Sequence, residues 1–242
     1  MHADKLARSV STQSVALRAA LHFVAYAVLH LVATFLIHGS AEESAASDDG
    51  FVPLFDGKSF DGWEGDTERT FRIEDGAVVA GSLEKRVPRN EFLCTEKSYG
   101  DFELRLEAKL TGAGQNAGVQ FRSRRIPDHH EVIGYQCDMG TGQGRSIWGS
   151  LYDESRRRRF LAEGDADKVK EAVRDDGWNE LVIRCEGPHI TISVNGLTTV
   201  DYTEEDADVP RDGIIGLQIH GGDPAEARYR NIRIKVFDDT DD

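Results

Sequence analysis

The chain has 242 residues, of which 39% are hydrophobic, and its formal net charge at pH 7 is −14. This length suffices for one large domain, or two small ones, with a hydrophobic core. The acidic balance argues against a nucleic-acid partner, because it repels the phosphate backbone, and against adhesion to an anionic membrane surface.

The first 41 residues differ in charge from the rest of the chain. They carry a net +2, which leaves −16 for the remainder. No residue from Ala19 to Ile37 carries a formal charge, basic residues precede this stretch and small residues follow it. This order is typical of a secretory signal peptide, and the alternative is a membrane anchor through residues 19–37, since about 20 apolar residues span a bilayer. Both interpretations predict an exported protein that is periplasmic, secreted or anchored to the cell envelope.

The rest of the chain divides into a linker, one domain and a tail. Residues 42–50 are small and acidic, which predicts a flexible linker, and residues 238–242 form an acidic tail. Within the domain at 51–237, strand-like runs alternate with Gly, Asp and Asn turn signals. The predicted strands are Phe71–Ile73, Ala77–Ala80, Glu91–Thr95, Asp101–Leu110, Gly118–Ser123, Val132–Asp138, Ile147–Tyr152, Trp178–Glu186, His189–Val194, Leu197–Tyr202, Gly213–His220 and Ala227–Phe237.

Helical periodicity is confined to Asp165–Arg174, where the lysine spacing is typical of a solvated helix face. About a dozen strands with one short helix predict an all-β sandwich or barrel rather than a βαβ fold. Strand Asp101–Leu110 alternates apolar and charged residues, as expected for a sheet with one solvated face.

Three of the predicted strands place directional polar side chains opposite an apolar face. The pairs on the polar face are Gln120/Arg122, Gln136/Asp138 and Gln218/His220. Lysine and glutamate dominate surfaces that only need solubility, whereas Gln, Arg, Asp and His are directional hydrogen-bonding groups. An ordinary solvated face remains the alternative, but the repetition favours a binding surface for a polyhydroxylated ligand.

Two aromatic residues on the predicted strand Ile147–Tyr152 could add to this surface. Trp148 and Tyr152 both fall on the even-numbered face of that strand. Aromatic rings with polar edges suit stacking against a sugar, but they are equally common in a core, so both interpretations stay open.

Other polar clusters and the cysteines favour structural roles. His129-His130-Glu131 beside Pro127 predicts a solvated loop, and we assign neither a metal nor a cofactor to the chain. Arg156–Arg159 predicts a strand end that is paired with nearby acids. An odd number of cysteines argues against a disulfide framework, and we expect inert, buried thiols at Cys94, Cys137 and Cys185.

Ordered motifs along residues 51–237 resemble the 3-keto-disaccharide hydrolase domain family. They include Phe55–Trp63, Phe71–Gly76, Tyr99–Leu104, Asn116–Arg122, Tyr135–Asp138, Trp178–Glu180, Val194–Gly196, Gly216–His220 and Tyr229–Ile234. The resemblance implies a concanavalin-like jelly-roll sandwich of two antiparallel sheets. It also implies an exported enzyme that cleaves 3-keto-glycosides, sugars already oxidised at C3.

The activity that the resemblance implies suggests roles for the polar face. A keto group at C3 acidifies the C2 proton, so a base can start β-elimination of the glycosidic oxygen, and water then adds back. We expect Asp138 or His220 to act as base and acid, with Arg122 at the enolate oxygen. The glutamines Gln120, Gln136 and Gln218 would bind hydroxyls.

One departure from the family pattern affects the expected activity. Family members often carry a glutamate two residues before the Gln of the Tyr135–Asp138 motif, and this chain has Gly134 there. The alternatives to an enzyme are a non-catalytic carbohydrate-binding module and an envelope interaction domain.

Overall fold

A computed structural model describes residues 50–114 and 116–237. The predictions for residues 1–41, for the linker at 42–49 and for the tail at 238–242 lie outside the described residues. Within the described ranges, no helix has the length and apolar character needed to cross a bilayer.

The described chain forms sixteen strands and one short helix. In chain order the strands are β1 Val52–Pro53, β2 Trp63–Glu64, β3 Phe71–Glu74, β4 Ala77–Ser82, β5 Glu91–Tyr99, β6 Phe102–Gly112, β7 Asn116–Arg125, β8 Val132–Gly142, β9 Arg145–Ser146, β10 Leu151–Glu154, β11 Phe160–Ala162, β12 Asn179–Glu186, β13 His189–Val194, β14 Leu197–Thr203, β15 Gly213–Ile219 and β16 Ala225–Val236. Helix α1 is Ala166–Ala172.

The strands form two antiparallel sheets of eight strands each. The first has the order β14-β13-β12-β6-β16-β4-β3, with β1 beside β16. The second has the order β11-β10-β8-β7-β15-β5-β2, with β9 beside β8. The predicted all-β sandwich of two antiparallel sheets is confirmed.

A hydrophobic core fills the space between the two sheets. Odd-numbered residues of β8 and even-numbered residues of β6 supply it, including Cys137, Met139, Leu104 and Leu106. Tyr229 of the first sheet crosses this core, and its hydroxyl donates to the carbonyl oxygens of two strands of the second sheet, at Gly118 (3.2 Å) and Gln218. Period-two alternation therefore leaves the even-numbered residues of β8 on the outer face of the second sheet.

The structure confirms the predicted helix but only part of the strand predicted at Ile147–Tyr152. The helix forms as expected, and the Asp165 side chain caps it by accepting from the backbone N–H of Asp167 (3.1 Å) and Lys168 (3.2 Å). The strand predicted at Ile147–Tyr152 is wrong in its first half. Ser150 N–H donates to Ile147 O (3.0 Å) and closes a turn, so the strand begins only at Leu151.

Candidate functional site

A β-bulge bends the hairpin of β7 and β8 on the outer face of the second sheet. Phe121 pairs with Tyr135 and Arg124 pairs with Ile133, so two residues of β7 oppose the single residue Gly134. Arg122 at the bulge has φ +45° and Gly134 has φ +151°. A bulge of this kind increases the local twist and bends the strand pair. We call the part of the hairpin beyond it, residues 123–134, the flap.

The flap folds across the outer face of the second sheet. Val132 packs against Phe92 and Cys94, which alternate with core-facing Leu93 on β5 and so lie on the outer face. Arg125 Nη2 donates to Phe92 O (3.0 Å), although β15 separates their two strands in the sheet. The flap therefore covers β15 and buries the polar side chains beneath it.

A chain of hydrogen bonds lies on this covered face and ends at Asp138. Ser123 Oγ donates to Gln120 Oε1 (2.9 Å), Gln120 Nε2 donates to Gln136 Oε1, and Gln136 Nε2 donates to Asp138 Oδ1. All four residues are buried. Because each amide satisfies the next, Gln120 and Gln136 fix the orientation of the Asp138 carboxyl group. The amides of Gln120 and Gln136 thus bond to each other and to Asp138, and their binding of sugar hydroxyls stays a prediction.

The environment of Asp138 favours its protonated form. Burial raises the pKa of Asp138 to about 8, against the hydrogen bond from Gln136, and the negative charges of Glu154 and Glu163 raise the pKa further. The turn before β10 holds the backbone of Asp138, because Asp138 N–H donates to Ser150 O (2.9 Å) and Gly149 N–H donates to Asp138 O (2.8 Å). A carboxyl group with a pKa near neutrality is suited to proton transfer.

Gln218 differs from the other two glutamines. It is fully buried, and neither its Oε1 nor its Nε2 has a hydrogen-bond partner among the described residues. Its strand position pairs with Gly118, which in turn pairs with Asp138, so Gln218 and Asp138 share one row of the face. Asn116 Oδ1, two residues before Gly118 on β7, is also buried without a hydrogen-bond partner among the described residues. Unpaired buried amides are costly unless a ligand satisfies them, so this row is a candidate binding position.

Arg122 does not lie on this face, and its expected pairing with Gln120 is wrong. Its side chain is 1% exposed, and Nη2 forms an ion pair with Asp101 Oδ1 (2.7 Å). Its Nε donates to Gly100 O (3.0 Å) and its Nη1 donates to Gly187 O (2.7 Å). The bulge reverses the alternation, so that Ser123 takes the place on the outer face that an unbroken strand would give to Arg122. Arg122 is therefore a structural residue that joins two turns.

The remaining predicted site residues, Tyr152, His220 and Trp148, lie in three different places. Tyr152 pairs with Gln136, lies half-buried on the outer face and packs edge-on against Phe160 at 5.2 Å between ring centroids. His220 follows β15, is exposed, and its Nδ1 lies 2.6 Å from Gly221 O. Trp148 lies on the turn before β10 and is buried in the core, so it does not share a face with Tyr152.

The other clusters singled out in the sequence are accounted for by packing. Arg156 and Arg157 pair with buried Asp153, and Arg157 also pairs with Glu204. The three cysteines are buried and free. In the described part of the chain, no group of three or more His, Cys, Asp or Glu side chains is arranged to hold a metal ion.

Sequence reasoning missed two carboxylates that the fold brings to this face. Glu154 pairs with Gly134 on the neighbouring strand and follows the same alternation as Tyr152. Glu131 is carried over the sheet by the flap, where its Oε1 accepts from Asn90 Nδ2 (3.2 Å). A glycine inside a strand pattern signals a bulge, so Gly134 could have indicated the flap. The approach of Glu131 to β5 depends on tertiary folding and has no local signal.

Comparison with known proteins places the chain in a family. Residues 50–235 match the family described as the 3-keto-alpha-glucoside-1,2-lyase-like domain. The chain belongs to this family. A relative from Bacteroides thetaiotaomicron named 3-keto-disaccharide hydrolase is 23% identical over 236 residues, which covers 78% of this chain and 79% of the relative.

Solved structures of similar fold agree with the sandwich architecture. A Parabacteroides distasonis protein described as a glycosyl hydrolase has a TM-score of 0.58 at 17% identity, covering 78% of this chain and 95% of that one. The carbohydrate-binding module CBM66 from Bacillus subtilis has a TM-score of 0.55 at 15% identity, covering 72% and 95%. At these identities the likeness concerns the fold.

Proposed function

We propose that this protein cleaves 3-keto-glycosides by β-elimination followed by hydration, with Asp138 as the base. The observation that carries the proposal is Asp138 itself: a buried carboxyl group with a raised pKa, oriented by two amides, in a chain that belongs to this family. The named relative supports a 3-keto-disaccharide as the substrate class.

In the proposed reaction, the ionised Asp138 removes the proton at C2, which the C3 carbonyl acidifies. The electron pair of the C2–H bond passes to the C3 oxygen as an enolate. It then forms the C1–C2 double bond as the C1–O bond breaks, and the departing oxygen takes up a proton. Water then adds across the double bond, placing hydroxyl on C1 and a proton on C2. Ordinary glycosidases instead need two carboxylates flanking the glycosidic bond.

The unpartnered amide of Gln218 is the group we assign to the C3 oxygen. Its free Nε2–H donors lie in the same row as Asp138. Donors that are already oriented stabilise an oxyanion more than water does, because they need no reorganisation when charge develops. Gln218 replaces Arg122 in this role, since Arg122 is committed to Asp101 and two carbonyl groups.

The test compares a 3-keto-disaccharide with its unoxidised parent disaccharide. The wild-type protein should cleave the first and leave the second intact, and Asp138→Asn should lose at least about 100-fold in kcat/KM. With p-nitrophenyl 3-keto-glucoside, whose leaving group needs no proton, the wild-type kcat/KM should rise with pH and level off above about pH 8, since only the ionised Asp138 carboxylate accepts the C2 proton. Equal cleavage of both sugars, or an unchanged Asp138→Asn variant, would reject the proposal.

A second candidate function is carbohydrate binding without catalysis. The shared fold with CBM66 and the unpartnered Gln218 amide favour it. Calorimetric titration with 3-keto and unoxidised disaccharides separates the two functions. Binding of both sugars without product formation would support the binding module, and Gln218→Leu should then abolish binding.

The proposal also includes export of the protein, which rests on the sequence of residues 1–41. Cell fractionation with an antibody to the domain at 51–237 tests it. A shortened protein outside the cytoplasm corresponds to a cleaved signal peptide, and a full-length protein in the membrane fraction corresponds to an anchor. A full-length protein in the cytoplasm would contradict export.

A further inference from the structure

A second carboxylate lies on the same face as Asp138, at Glu154. On β10, Leu151 packs in the core, while Tyr152 and Glu154 are placed by alternation on the outer face. Glu154 pairs directly with Gly134. Position 134 has no room for a side chain, because a Cβ atom there would lie 2.3 Å from Ser123 Oγ. The face therefore has a carboxylate from β10 beside the position where β8 lacks one.

The flap brings a third carboxylate toward Glu154. Glu131 Oε2 is buried and has no hydrogen-bond partner among the described residues, and the same holds for His130 Nδ1 beside it. Burial raises the pKa of Glu154, and the negative charge of Glu131 raises it further, against hydrogen bonds from Ser155 and the charge of His220. The raised pKa keeps more of the Glu154 side chain in the acid form.

Glu154 and Asp138 lie at the two ends of one stretch of this face, on either side of the paired residues Tyr152 and Gln136. Gly134 and Asp138 are four residues apart on β8, so their Cα atoms are separated by about 13 Å along the strand. Two carboxylate side chains and one sugar ring can span this distance. The Glu154 charge acts on Asp138 across this gap, because it contributes to the raised pKa of Asp138 after the larger effect of burial.

We propose that Glu154 is the acid that protonates the departing glycosidic oxygen. This inference rests on the proposed function. As Asp138 takes the C2 proton and the C1–O bond breaks, the Glu154 O–H proton passes to the leaving oxygen. The resulting Glu154 carboxylate then accepts a proton from the water that adds to C1, which restores the acid. His220 is less suited to this role, since it is exposed and its Nδ1 contacts Gly221 O.

The dependence on the leaving group tests this role. An acid at the leaving oxygen matters for a sugar alkoxide, which is a poor leaving group, but not for p-nitrophenolate, which departs unprotonated. We would measure kcat/KM for a 3-keto-disaccharide and for p-nitrophenyl 3-keto-glucoside. Glu154→Gln should lose about 100-fold or more on the disaccharide and less than about 5-fold on the nitrophenyl substrate. Glu154→Asp, which keeps an acid, should lie between wild type and Glu154→Gln on the disaccharide.

Two control variants complete the experiment. Asp138→Asn should lose activity on both substrates, because both need removal of the C2 proton. Glu171→Gln, on the exposed side of α1, should match wild type on both. Equal losses of Glu154→Gln on the two substrates, or no loss on either, would overturn the role of Glu154 and leave the proposed function standing. A wild-type protein that cleaves neither substrate would overturn both proposals.

Discussion

Replacement of Asp138 by asparagine should change how stability depends on pH. Burial raises the pKa of Asp138 from its ordinary value of 3.8 to about 8. The folded state therefore holds this proton more tightly than the unfolded state does. The stabilising contribution of Asp138 is therefore lost as pH rises from about 4 through about 8. Asparagine at this position is neutral throughout and can still accept the hydrogen bond from Gln136.

The size of the effect follows from the difference between the two pKa values. Between pH 5 and pH 8 the unfolded state is ionised at this residue while the folded state is mostly protonated. Each pH unit in this range lowers the free energy of unfolding by about 1.4 kcal/mol through this one group. The slope falls off above pH 8, so the loss from pH 6 to pH 9 is about 3 kcal/mol.

Urea unfolding at pH 6, 7, 8 and 9 measures this difference. The free energy of unfolding of Asp138→Asn, relative to that of the wild-type protein, should increase by about 3 kcal/mol from pH 6 to pH 9. Asp128→Asn, on the exposed tip of the flap, should follow the wild type at every pH. If the free energy of unfolding depended on pH in the same way for wild type and Asp138→Asn, burial of Asp138 would not govern its ionisation.

Three further predictions concern the framework around the site. Gly134→Ala should lower the free energy of unfolding by about 2–4 kcal/mol, because the added Cβ meets Ser123 and φ is +151°; an unchanged urea midpoint would contradict this. Arg122→Ala should cost about 3–5 kcal/mol by removing the ion pair with Asp101 and the donors to two carbonyl oxygens, with kcat of the folded protein retained; lost kcat at unchanged stability would restore a catalytic role. Burial raises the pKa of the thiols of Cys94, Cys137 and Cys185, so an aromatic disulfide reagent should label them only after unfolding. Rapid labelling of the native protein would contradict their burial.

The polar face was predictable where the strands are regular. Gln136 and Asp138 lie on an unbroken stretch of β8, and Gln218 lies on β15 between core residues, so period-two alternation assigns their faces correctly. The same rule fails at Arg122, because the bulge inserts a residue and shifts the alternation by one. It also fails at Trp148, where a turn replaces the first half of the predicted strand.

The roles of the glutamines could not be assigned from sequence. All three lie on one face, but only the folded structure distinguishes Gln120 and Gln136, which are paired with each other, from Gln218, which has no hydrogen-bond partner in the described part of the chain. The Glu131 position depends on a contact with Asn90 that is 41 residues away in sequence. Local patterns carry no information about such a contact, because it is set by how far the flap bends across β15.

Deuterium incorporation at C2 is the most direct test of the proposed chemistry. The wild-type protein would cleave a 3-keto-disaccharide in D₂O, and the released 3-keto sugar would be analysed by NMR and mass spectrometry after a short reaction. The same sugar incubated without protein corrects for spontaneous exchange. Removal of the C2 proton by Asp138 predicts deuterium at C2, up to one for each bond cleaved, as the proton held by Asp138 exchanges with D₂O before hydration. Cleavage that leaves the original hydrogen at C2, together with an unchanged kcat/KM for a substrate deuterated at C2, would contradict elimination and point to direct hydrolysis at C1.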